Sequence, residues 1–182
     1  MEAQAIEEWR SQGYPEEWLI TYLSEGATTD EVAEVSGRLF AQILSIRESA
    51  NFADDAEVLR LAAMAAICQN FATIAPIVRA VEDMVAWLPS RQGKIDNHLA
   101  MAVRQDLEHI RHRISTIRAR LTAALAYQQA ARHAASATGF HSSTKVEGFM
   151  RRSQNLARLD VPAWAKKTEQ RLRKMSSLLS SG

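Results

Sequence analysis

One cysteine, four prolines, seven glycines and an aromatic content of 7% leave few chemistries open to this 182-residue chain. The lone Cys68 excludes a disulfide framework and a thiolate metal cluster, which need cysteines in sets. In its apolar surroundings it reads as a small buried hydrophobe. Sparse Gly and Pro, few β-branched runs and abundant Ala remove most strand and turn signals and favour helix. No long-period repeat appears, and no low-complexity tract beyond a Ser-rich ending. The longest apolar stretch, Val58 to Leu88, is interrupted by Arg60, Gln69, Asn70, Pro76, Arg79, Glu82 and Asp83. It is therefore expected to be too polar for a transmembrane segment. The acidic start, MEAQAIEEWR, has no apolar core of the kind a secretory leader carries, so a reducing, cytoplasmic compartment is expected.

What is present is an ordinary globular composition, 47% hydrophobic and 24% charged, enough for one domain or a domain with an appendage. The net charge of +1 hides an uneven distribution. Residues 1–57 hold thirteen acids against three bases, or −10, and the remainder holds nineteen bases against eight acids, or +11. Charge separation on this scale draws segments together, within a chain or between copies, or directs opposite faces to different partners.

The most regular stretch is 103–121. Leu107, Ile114 and Leu121 are a heptad apart, as are Val103, Ile110 and Ile117, and the two sets interleave. This is an a/d seam, the narrow apolar stripe of a helix lying along partner helices. Arginines flank it: Arg104, Arg111 and Arg118 on one side, Arg113 and Arg120 on the other, where Asp106 is the exception. The seam could be covered within the chain or could drive a homodimer.

The fold expected is all-α: a long antiparallel helical hairpin with a small acidic N-terminal helical subdomain and a basic C-terminal helical pair. Residues 1–50 form the acidic subdomain, with short helices over 2–12 and 15–25. A third helix follows the Thr28–Glu31 capping box and buries Val32, Val35, Leu39, Ile43 and Ile46. Residues 54–135 form the hairpin, its first arm kinked at Pro76 and its turn at Pro89 to Gly93. Ser136 to Ser143 reads as a linker. Residues 144–182 form two basic helices, the last starting at Pro162 with a stripe of Trp164, Thr168, Leu172, Met175 and Leu179.

Three motifs bear on chemistry. The stretch from Tyr22 to Gly37 resembles the first half of DNA-binding helix-turn-helix units, with Ala33 and Gly37 at the spacing of that motif's small residue and turn glycine. The resemblance implies a recognition helix over Leu39 to Arg47, which offers only Gln42 and Arg47 to DNA in a segment of charge −10. Arg104 and His109 have a spacing that resembles the Arg-x4-His signature of HEPN nucleases. That resemblance implies an acid/base histidine with an arginine stabilising the phosphorane, yet the two lie on different helix faces. Glu108 with His112 and Asp106 with His109 have metal-ligand spacing, but the facing arm holds no matching carboxylate–histidine set. No phosphate loop or nucleophile signature occurs. Neither a metal nor another cofactor is expected, and the protein reads as non-catalytic.

The remaining signal is cationic. Residues 144–182 carry nine bases against three acids. The expectation is a helical adaptor or accessory subunit with no small-molecule substrate. It would bind an anionic partner, either the nucleic-acid backbone in a nucleoprotein complex or an acidic protein surface. Arg111, Arg118, Arg151, Arg152, Lys166, Lys167, Arg171 and Lys174 would make the contact, helped by Trp164. A helix-turn-helix DNA regulator and a HEPN-like RNase are the alternatives.

Overall fold

Pro15 opens the first of the described helices, α1 (Pro15–Ser24), where its missing N–H costs nothing. In this computed structural model the described residues are 15–49, 55–138 and 144–181. The helix expected over 2–12 lies outside them. Gly26, at φ +78°, takes the left-handed conformation that ends α1. The capping box then closes as expected: the Thr28 N–H donates to Glu31 Oε2 at 2.7 Å, and the Glu31 N–H donates to Thr28 Oγ1 at 3.2 Å. Helix α2 (Thr29–Ser49) follows and buries Val32, Val35, Leu39 and Ile43. It runs straight through Gly37. The turn that the helix-turn-helix resemblance placed there is absent, and Leu39 to Arg47 continue the same helix. A local resemblance of spacing is overridden by an unbroken apolar stripe on one side of the segment.

Helix α3 (Asp55–Trp87) contains Pro76 on its exposed side and continues past it. A 3-10 turn (Leu88–Arg91) and Gly93, at φ +81°, reverse the chain. Asp96 then caps the next helix by accepting from the His98 N–H at 3.1 Å. That helix, α4 (Asn97–Thr138), extends three residues beyond the expected hairpin arm. The start of the expected linker is thus helical, and 139–143 lie outside the described residues. Helices α5 (Thr144–Ala157) and α6 (Val161–Ser180) complete the all-α fold. Asp160 caps α6 by accepting from the Ala163 N–H.

The chain packs as two compact units, and both long helices are divided between them. The first contains residues 1–72 and 119–159, the second 73–118 and 160–182. The packing boundaries therefore differ from the contiguous blocks 1–50, 54–135 and 144–182. The two basic helices separate as well: α5 belongs to the first unit and α6 to the second.

In the first unit Leu19 of α1, Leu39 and Ile43 of α2, Met64, Ile67 and Phe71 of α3, and Leu121 and Leu125 of α4 are buried. Ala131 and Ala135 pack with Val146 and Met150 of α5. Two hydrogen-bonded groups of buried polar side chains link its helices. Ser153 donates to the Ala124 carbonyl at 2.8 Å and accepts from Gln128 Nε2 at 2.9 Å. Asn70 Nδ2 donates to the Ala157 carbonyl at 3.2 Å.

The second unit buries Ile77, Val78, Val81 and Met84 of α3 against Val103, Leu107, Ile110 and Ile114 of α4 and Ala165, Leu172, Met175 and Leu179 of α6. All six seam positions from Val103 to Leu121 are buried within the single chain. By length and composition Val58–Arg91 is apolar enough to cross a membrane, contrary to the expectation from its interrupting polar residues. Yet 67% of its most apolar window is buried inside the protein. A core position accounts for that apolarity and is compatible with a soluble protein.

Candidate functional site: a cationic edge on α4 and α6

The stripe of α6 places its charges. Val161, Ala165, Thr168, Leu172, Met175 and Leu179 recur at steps of four and three and are buried, so every Lys and Arg of the helix falls on the remaining faces. Lys167, Arg171 and Lys174 follow one edge of that stripe, four and three residues apart. Lys166, Lys167, Arg171 and Lys174 are all exposed.

Two contacts fix what this edge faces. Arg171 donates to Asp106 Oδ1 of α4 at 2.8 Å. Arg91 Nε, at the hairpin turn, donates to the Leu179 carbonyl at 2.9 Å. The C-terminal end of α6 thus lies by the turn that precedes α4, and α6 runs antiparallel to this part of α4. Arg113 is a heptad beyond Asp106 on the same side of α4, roughly 10 Å along the axis, with His109 between them. Lys167 is about 6 Å from Arg171 in the same direction. Exposed His109 and Arg113 therefore lie on the same side of the Asp106–Arg171 pair as exposed Lys167, and exposed Lys174 lies on its other side, toward the hairpin turn.

This grouping differs from the nine residues expected at the contact. Arg151 and Arg152 are on α5, in the first unit, where the Arg152 guanidinium sits 5.7 Å over the Tyr127 ring. Arg111 and Arg118 are in the second unit but on the other side of the seam from Asp106. Arg111 pairs with Glu108 at 3.2 Å, and Arg118 is half-buried and already engaged. Trp164 is half-buried and packs against the core of the second unit, so it is structural more than presented. Lys166, Lys167, Arg171 and Lys174 remain as a group on one helix. His109 and Arg113 were missed as members; the heptad numbering was the available signal, since it puts Asp106 and Arg113 at equivalent positions.

The alternatives gain no geometry. Arg104 helps line an open depression of about 280 Å³ beside the hairpin turn, with Leu88, Ile95, Ala100 and Met101. His109 lies on the Asp106 edge, so the helix does not bring Arg104 and His109 to one reacting point. The solvent-facing positions of α2 include Asp30, Glu31 and Glu34, the wrong sign for phosphate contact. Among the described residues no three His, Cys, Asp or Glu side chains gather as metal ligands.

The most enclosed charges serve a different purpose. Glu16 is fully buried, between Arg60 at 3.0 Å and Arg132, whose Nε is 3.7 Å away. Arg132 also pairs with Glu17, which His133 Nε2 approaches to 3.5 Å. Cys68 is fully buried too; burial, with a smaller contribution from the Glu16 charge, pushes its thiol up to about 12. The thiol is therefore held protonated and unreactive.

Compared with known protein families, characterised proteins and solved structures, the chain matches none.

Proposed function

We propose that this protein is a non-catalytic helical adaptor or accessory subunit that binds an anionic partner through the α4–α6 edge of its second unit. The observation that carries this reading is an unneutralised surface. The second unit holds twelve Lys and Arg against seven Asp and Glu. On α6, Lys166, Lys167 and Lys174 have no ion-pair partner among the described residues, whereas Arg171 and Arg173 pair with Asp106 and Glu169. The apolar stripe of α6 is spent on the core, so the helix has charge left to offer and little apolar surface. A protonated, buried Cys68 fits a reducing cytoplasmic setting.

The test is a titration of the intact protein against labelled polyanions at about 50 and about 200 mM salt. Changing Lys166, Lys167 and Lys174 to Gln together should weaken binding and flatten its salt dependence while leaving the helical spectrum unchanged. Removal of α6 is the poorer test, because Leu172, Met175 and Leu179 leave with it and the core opens. If no polyanion binds the intact protein even at the lower salt, the proposal fails.

A further inference from the structure

We infer that the α4–α6 edge takes a double-stranded nucleic-acid backbone, reading its phosphates and not its bases. This rests on the anionic-partner proposal and narrows it. Single-stranded nucleic acid is held by exposed aromatic side chains on which unpaired bases stack. The second unit has only Trp87 and Trp164, and both are half-buried against its core. An acidic protein partner needs an apolar or aromatic anchor at the centre of its contact. Between Lys167 and Lys174 the exposed edge offers none; the exposed Leu178 lies a turn beyond.

What the edge does offer suits a regular, dense line of charge. A duplex carries one negative charge per ~1.7 Å of axis, and cations that neutralise it release condensed counterions. Arg113 on α4 and Lys167 and Lys174 on α6 come from two antiparallel helices that pack on one core, so the duplex meets a preordered array. Asp106 is the acid within the array. By pairing with Arg171 at 2.8 Å it holds one guanidinium back from the partner. Phosphate contacts of this kind position a protein without specifying sequence, so affinity should be indifferent to base composition.

The experiment is fluorescence anisotropy with the full chain and three probes: a mixed-sequence duplex of about 20 base pairs, oligo(dT) of equal phosphate number, and polyglutamate. The expected result is duplex binding at least tenfold tighter than either other probe. The variant R113Q/K167Q/K174Q should weaken duplex binding and flatten the slope of log K against log salt by about 2–3, since each phosphate contact contributes ~0.9. D106N should strengthen duplex binding by freeing Arg171, and R151Q, on the first unit, should leave it unchanged. Equal or tighter binding of oligo(dT) or polyglutamate would overturn the duplex inference while leaving the anionic-partner proposal standing. An unchanged slope in the triple variant, with its fold intact by circular dichroism, would also overturn it. Failure of all three probes would sink both.

Discussion

Arg60 reaches across 44 residues of sequence to Glu16, holding both carboxylate oxygens from one terminal nitrogen at 3.0 and 3.3 Å, with both side chains enclosed by protein. Arg132 of α4 closes on the same carboxylate from another helix. Three helices of the first unit, α1, α3 and α4, thus meet at one buried charge. A buried pair contributes modestly against a well-packed apolar replacement, but breaking it leaves an uncompensated ion.

Glu16→Gln should therefore destabilise the protein by about 3–5 kcal/mol, measured by urea unfolding. Glu16→Leu combined with Arg60→Met should cost much less than the sum of the single changes, because neither ion is then stranded. Additive effects below about 1 kcal/mol each would show that the pair contributes nothing to stability.

Gly37 sits inside α2 with open space where a Cβ would go. Gly37→Ala should raise stability by roughly 0.5–1 kcal/mol, because alanine restricts the unfolded chain and suits the helix. A turn glycine at positive φ would respond with the opposite sign. A lower melting temperature in this variant would show that α2 breaks at Gly37 after all.

Cys68 makes stability depend on alkaline pH. Its folded pKa is raised from 9.0 to about 12, so between those values the unfolded chain has released a proton that the folded protein still holds. Its contribution is fully present below pH 9 and is lost as pH rises through 9 toward 12. Cys68→Ala should have a shallower decline in stability across that window than the parent. Thiol reagents should label Cys68 in the native protein at neutral pH only as fast as it unfolds. Rapid labelling of the native state would contradict the burial.

Ile114 tests the seam. It is 7% exposed in the core of the second unit, so Ile114→Asp buries a carboxylate without a partner and should unfold that unit. Leu107→Ala should cost about 2–5 kcal/mol. If Ile114→Asp leaves a stable, fully helical protein, the seam is not filled within the chain.

Much of this was legible in advance because helices declare themselves locally. The Thr28–Glu31 box, the glycine stop at Gly26, the stripe of α6 and the 103–121 seam all depend on residues within a few positions of one another. The sequence hid what depends on distant partners. Glu16 and Arg60 were two surface-like charges until α1 met α3. Arg113 was one arginine among many until the Arg171–Asp106 contact showed which edge of α4 faces α6. Trp164 reads equally as a docking aromatic or a core residue from its place on a helix, and only packing separated them.

The amino-acid sequence by itself determined that this protein is all-α, where most of its helices begin, which face of each is apolar and which helices carry surplus positive charge. These follow from backbone propensity, capping and a 3.6-residue period, all short-range properties of the chain. Tertiary structure alone decided that the seam is covered in cis, that the units cut across both long helices, that Glu16 is buried among cations and that the α5 and α6 charges part company. Those outcomes depend on which apolar faces meet, and on which charges that meeting encloses or leaves in water.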